Sequence, residues 1–487
     1  MSELDQMAHR VVMGSFAGPS LPRWAEDRLA SGLGSVAFFG SNVESPDQLA
    51  ALSAALRAAN PDVLVATDEE GGDVTRLHMD EGSPQPGNAA LGAADDEDLT
   101  AAVAAEIGHE LASVGVDLDL APVVDVNSNP ANPVIGVRSF GADPALVARH
   151  TRAWVAGLQS AGVAACAKHF PGHGDTSVDS HLGLPRVDAP LDVLRARELV
   201  PFVAAVESGA LAVMTSHVLL PALDPGAPAT LSGIVLGLLR SELGFDGLLV
   251  SDALDMAGAS AGRGEAAAAV LALMAGCDLL CLGADKDAAD VDRVVDAIVG
   301  AVKAGSLAED RLAEAAGRVL AVSRRVQGWR GGGAFPTDDA TAGRDAATRA
   351  VRVEGSLPAL TGATVLRFRT GQSMAVGEVP WGLPVDAAVL RGRRHLDVTE
   401  STDLTALLRD AGHVGDAAVV AMVREPHRHP WVAARLAELA AICPELVTVE
   451  MGWPGPAQLP GRATVLTYGA SKVNGEALDA VLAGATH

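Results

Sequence analysis

VAACAKHFPGHGDTSVDSH, residues 163–181, changes character part-way along. Val163 to Ala167 are apolar without alternation, as in a strand covered on both faces. From Lys168 onward the stretch carries His169, His173, Asp175, Asp179 and His181, with no apolar periodicity. A buried strand that runs directly into titratable groups is what a parallel α/β barrel presents at its strand ends.

Similar apolar runs recur on both sides. They are Arg10–Ser15, Ser35–Phe39, Val63–Thr67, Val116–Val123, Val163–Lys168, Ala212–Thr215, Leu248–Ser251 and Leu279–Leu282. Helix-like segments rich in Ala, Leu, Arg and Glu fall between many of them. Eight such runs predict a (β/α)8 TIM-type barrel over residues 1–330. An open doubly wound sheet is the alternative, but no GxGxxG follows an early strand. Ser306 and Glu309 read as a capping box opening a late helix.

GWRGGGAFPTDDATAG, residues 328–343, concentrates Gly, Pro and Asp without periodicity, which places a linker over 331–345. Beyond it, Thr364–Phe368, Ala417–Val423, Leu446–Glu450 and Thr464–Tyr468 read as strands alternating with helices such as Trp431–Ile442. Residues 346–487 are therefore expected to form a smaller α/β domain.

The totals narrow the function. Sixty-one acidic residues against 36 basic give a net charge of −25, a field that repels nucleic acid and anionic lipid surfaces. No apolar run reaches the roughly 18–20 residues of a membrane span, and the first residues do not read as a signal peptide. Cys166, Cys277, Cys281 and Cys443 sit in apolar contexts without CxxC spacing. Reduced core thiols in a cytoplasmic protein are expected.

The polar residues fall where barrel chemistry falls. Asp68 ends the third run and is followed by Gly71-Gly72; Asp125 and Arg138 follow the fourth. Lys168 and His169 end the fifth, Ser216-His217 the sixth and Asp252 the seventh. Asx turns and caps explain any one of these residues alone. Five strand ends carrying charged or imidazole groups toward one face point instead to a site. Asp255 reads as a turn residue, which leaves Asp252 as the nucleophile candidate.

The histidines of 168–181 suggest a metal centre, but HxH and HExxH are absent, and Pro171, Gly172 and Gly174 make a pliant frame. No metal and no cofactor is expected. In Asp179-Ser180-His181, residues i and i+2 of an extended segment project to the same side. Asp179 can then orient the His181 imidazole for proton transfer.

KHFPGHGDTSVDSH together with FDGLLVSDALDM resembles glycoside hydrolase family 3, specifically its β-N-acetylglucosaminidase (NagZ-type) branch. GSNVESPDQLAAL, DEEGGDVTR, IGVRSFG and AGCDLL extend the resemblance over roughly residues 40–280. It implies a retaining glycosidase with Asp252 as nucleophile, His181 as acid/base and Asp179 as its support. An imidazole thus stands where most retaining enzymes use a second carboxyl. The resemblance further implies that Asp68, Arg138, Lys168 and His169 bind the terminal sugar, with Arg76 and His173 beside them, and that the histidine-bearing loop is mobile. His427 and His429, in REPHRHPW, are expected to be structural.

The expected activity is release of terminal N-acetylglucosamine from peptidoglycan- or chitin-derived saccharides. The alternatives are a phosphorylase using inorganic phosphate as acceptor and a non-catalytic sugar-binding protein. A monomer or weak homo-oligomer is expected.

Overall fold

The computed structural model describes residues 2–179, 183–260, 262–330, 341–371, 376–392, 394–413 and 417–485. The chain divides into two compact units. The first takes residues 1–70, 100–128 and 142–339; the second takes 71–99, 129–141 and 340–487. The division is therefore not a single cut near residue 330. Two segments that follow the third and fourth barrel strands belong with the C-terminal residues. Of the expected linker, residues 331–340 lie outside the described residues, and Ala342 already opens the helix Ala342–Ala350.

The first unit is the expected barrel. Its strands are β1 (Val12–Gly14), β2 (Ser35–Phe38), β3 (Leu64–Thr67), β4 (Leu118–Asp119), β5 (Ala164–Phe170) and β6 (Ala212–Thr215). A short antiparallel hairpin, β7 (Leu219–Leu220) and β8 (Asp224–Pro228), precedes β9 (Leu248–Val250) and β10 (Leu280–Cys281). The sheet order is β10-β1-β2-β3-β4-β5-β6-β9, parallel throughout, and a bridge between Val250 and Leu279 closes the seam.

Both strand faces are buried, which is why the runs read as continuous. Leu64, Ala66, Ala164, Cys166, Ala212, Met214, Leu248 and Val250 fill the interior. Their neighbours Val65, Ala165, Val213 and Leu249 are equally buried on the other face. The helices follow local rules. Ser45 caps Pro46–Ala59 by accepting from the Gln48 N–H, Pro46 opens it, and Leu49, Leu52 and Leu56 form its buried stripe.

The N-terminal ends of the strands are sealed by the helix Glu309–Gln327. Its Val319, Val322 and Val326 join the barrel core, and Ser323 Oγ and Gln327 Nε2 donate to the carbonyls of Asp62 and Pro61. The expected capping box does not form: Ala308 is the N-cap, and the Ser306 hydroxyl donates to Ala301 O at the end of the preceding helix. A serine beside two helix ends can serve either, and here it serves the first. Just before β10, buried Asp278 is paired with Arg240, Arg311 and Arg318.

The second unit holds a six-stranded sheet of β11 (Arg352–Gly355), β12 (Thr364–Phe368), β13 (Leu396–Val398), β14 (Val419–Val423), β15 (Leu446–Glu450) and β16 (Ala463–Leu466). Their order is β11-β16-β15-β14-β12-β13, and only β11 runs antiparallel to its neighbour. Val420, Met422, Val447 and Val449 pack on one face, and Val419, Ala421, Val423 and Leu446 on the other. The result is the expected α/β sandwich. Arg352 and Glu354 keep the exposed edge strand charged. Residues 71–99 and 129–141 pack onto this unit through Arg424 with Asp73, Arg349 with Asp96, and His427 Nε2 donating to Pro130 O. No described helix is long and apolar enough to cross a membrane.

Candidate active site

At or just beyond the C-terminal ends of the barrel strands stand Asp68, Asp125, Lys168, His169 and Asp252. The fifth strand ends at Phe170, two residues beyond the expected boundary. Lys168 is buried, with Nζ 2.6 Å from Asp68 Oδ1 and 2.7 Å from Glu70 Oε1. A lysine can be buried this deeply because two carboxylates offset its desolvation. Beneath them Asp119 accepts the Glu69 N–H at 2.9 Å, and burial pushes its carboxyl well above the usual carboxylate range.

His169 projects from the same strand. Its Nδ1 lies 2.7 Å from Asp125 Oδ2, while Asp125 Oδ1 accepts the His173 N–H at 2.7 Å. Burial alone would raise the Asp125 carboxyl, but His169 and then His173 hold it below the usual range. A carboxylate-oriented imidazole is thus present at Asp125–His169. The sequence placed Asp125 on the rim but did not assign it to the site. The available signal was its position after the fourth strand, opposite a histidine ending the fifth. The peptides Lys168–His169, Phe170–Pro171 and Ala121–Pro122 are cis.

His173 is buried, its Nδ1 2.8 Å from Thr176 Oγ1. Burial lowers its pKa to about 4, against the opposing pull of Asp125 and Asp252, so its ring is neutral at neutral pH. In the segment 171–176 the glycines are closely packed. A Cβ on Gly174 would fall 1.8 Å from Val126 O, and one on Gly172 would fall 2.8 Å from the Glu198 side chain. Gly174 serves close packing, and Gly172, at φ +128°, also a backbone conformation that side chains disfavour. Arg197 bridges the segment to its surroundings, 2.6 Å from Asp175 and 2.5 Å from Glu198. Burial raises the Glu198 carboxyl to about 7.

Asp252 follows β9 and is half-buried. Its N–H donates to Thr215 Oγ1 at 3.3 Å, and its Oδ1 accepts the Ala253 N–H at 2.8 Å. Asp255 is exposed and paired with Lys286 at 2.9 Å. Asp179 is buried. His181, assigned to proton transfer, lies outside the described residues.

Arg76 and Arg138 belong to the second unit. Asn88 Nδ2 donates to the backbone carbonyl of Arg138, and Arg138 Nη1 donates to Val134 O. In the same unit Gly72, at φ +61°, approaches Gly87 so closely that a Cβ would fall 2.5 Å from its Cα. Only glycine fits that position. Among the described residues no cluster of three His, Cys, Asp or Glu side chains is arranged to hold a metal ion. All four cysteines are buried and unpaired, with burial pushing Cys277 and Cys281 up to about 12.

A "Beta-hexosaminidase A" of Pseudoalteromonas piscicida is 37% identical over 320 residues, covering 60% of this chain and 54% of its own length. A "Beta-hexosaminidase" of Methylococcus capsulatus is 41% identical over 249 residues, covering 51% of this chain and 74% of its own. This chain thus spans only about half the length of the first of these relatives. A solved glycoside hydrolase family 3 β-N-acetylglucosaminidase from a Paenibacillus species superposes with a TM-score of 0.87 at 33% identity, over 100% of this chain and 97% of that one. The model of the glycosyl hydrolase family 3 N-terminal domain matches residues 23–322, and the chain therefore belongs to glycosyl hydrolase family 3.

Proposed function

We propose that the chain is a retaining exo-β-N-acetylglucosaminidase acting on peptidoglycan- or chitin-derived saccharides. The observation that carries this reading is Asp252. Its carboxylate stands at a barrel strand end, fixed through its own peptide, on the rim that also bears Lys168 and His169. The hexosaminidase and N-acetylglucosaminidase names of the relatives support the substrate class.

In this mechanism Asp252 attacks the anomeric carbon while His181 protonates the departing oxygen. The bond to the aglycone breaks and a glycosyl ester on Asp252 forms. His181, now neutral, takes a proton from water, which attacks the same carbon and releases the sugar with retained configuration. Asp179 orients His181. Asp68, Lys168 and His169 bind the sugar hydroxyls, with Asp125 holding the His169 tautomer so that Nε2 faces the ligand. His173 is assigned to the same ring on the motifs.

A panel of aryl glycosides with wild type and Asp252→Ala tests the proposal. The N-acetyl-β-glucosaminide should be cleaved fastest, with the β-anomer appearing first by proton NMR, and Asp252→Ala should be inactive. Release of the α-anomer first would sink the retaining mechanism. Adding inorganic phosphate separates the alternative: a sugar 1-phosphate formed faster than free sugar would replace hydrolysis by phosphorolysis. Binding of the sugar without cleavage would mark a non-catalytic protein.

A further inference from the structure

Beside Asp252 lies a hydrogen-bonded ring that the mechanism above leaves unused. His217, just after β6, is fully buried. Its Nε2 is 2.9 Å from Ala253 O, which can only accept, so Nε2 carries a hydrogen. In the neutral ring Nδ1 is then an acceptor, and Thr230 Oγ1 lies 2.9 Å from it. Thr230 Oγ1 also donates to Ser216 O at 2.8 Å, a carbonyl that accepts the Thr230 backbone N–H at 3.1 Å as well. Thr215 Oγ1 lies 2.8 Å from Thr230 Oγ1 and accepts the Asp252 N–H.

The N–H of Asp252 and the carbonyl of Ala253 are thus tied to one imidazole, the first through two hydroxyls and the second directly. Between them the Ala253 N–H holds Asp252 Oδ1. One hydrogen-bonded network therefore holds the Asp252–Ala253 peptide from both sides.

We infer that His217 is a positioning residue for Asp252, fixing the direction of the carboxylate through Thr230, Thr215 and the Ala253 carbonyl. The inference rests on Asp252 being the nucleophile. A side chain that only filled space would leave the chemical step unaltered when replaced by one of similar bulk.

The test uses the full chain and an aryl N-acetyl-β-glucosaminide. His217→Phe keeps a ring and removes both nitrogens; it should lower kcat on the order of 10²-fold with KM little altered. His217→Gln, which presents an N–H near the same place, should recover much of the loss. Thr230→Val breaks the relay without touching the imidazole and should lower kcat in the same sense, with Thr230→Ser restoring it; this pair carries the test if His217→Phe does not fold. The rate at which a fluorinated glycoside labels Asp252, read by mass spectrometry, should fall in proportion to kcat. Wild-type kcat in folded His217→Phe and Thr230→Val, whatever their thermal stability, overturns the inference. An active Asp252→Ala would instead sink the nucleophile reading itself, so the two failures are distinguishable.

Discussion

Lys168 is a cation whose neighbours were chosen for it across the chain: Asp68 is a hundred residues away, and the two meet at 2.6 Å with the lysine 2% exposed. Lys168→Met would leave Asp68 and Glu70 without their counter-ion. It is expected to cost about 3–5 kcal/mol in denaturant unfolding and to abolish measurable kcat/KM. Asp125→Asn addresses the other pair. An amide nitrogen facing His169 Nδ1 favours the wrong tautomer, and kcat/KM should fall on the order of 10²-fold with the fold retained by circular dichroism. The spacing of Asp179-Ser180-His181 suggested a pairing in the sequence. That of Asp125 and His169 did not, because the two are 44 residues apart.

At the scale of elements, the loop after β5 is built by exclusion. Gly174→Ala would drive a Cβ into Val126 O; neither atom is the end of a flexible side chain, so the loop must shift. A loss of about 3 kcal/mol or more in thermal unfolding, together with loss of activity, is expected. The opposite end of the barrel answers differently. Asp278 holds three arginines and also accepts the Leu249 N–H. Asp278→Ala should destabilise by about 3–5 kcal/mol while leaving KM of the folded protein unaltered, since the N-terminal face of such a barrel serves stability. The glycines of 171–174 read as freedom in the sequence because composition reports what glycine permits. Only the packing shows whether that permission is used for motion or for contact.

For the whole molecule, buried carboxyls govern the response to pH. Burial raises Glu450 to about 8 and Glu198 to about 7. Each holds a proton in the folded state that the unfolded chain releases above its ordinary pKa near 4.5. Their stabilisation is therefore complete below about pH 4.5 and is lost as pH rises through 7 to 8. His173 acts in the other direction: its folded pKa of about 4 lies below the unfolded 6.5, so it costs stability as pH falls through that window. Asp119, also raised by burial, acts in the same direction as Glu450 and Glu198, and unfolding temperature should decline from about pH 5 toward 8. Glu450→Gln mimics the protonated carboxyl and should flatten that slope by up to about 1.4 kcal/mol per pH unit. An unaltered slope in differential scanning calorimetry would refute the assignment.

The strands, the helices around them and the rim on which chemistry falls were determined by the sequence itself. Each depends on local apolar patterning and on which residues follow it, and Val163–His169 displays both in a single line. The family was equally legible, because its motifs are contiguous. Tertiary structure alone decided that residues 71–99 and 129–141 pack with the C-terminal sheet, that Asp125 orients His169, and that Ser306 serves the helix before it rather than the one after. It also decided that His217 ties into the peptide of Asp252. These are choices among partners far apart in the chain, and local patterning shows that a polar group needs a partner without showing which one the folded backbone brings within reach.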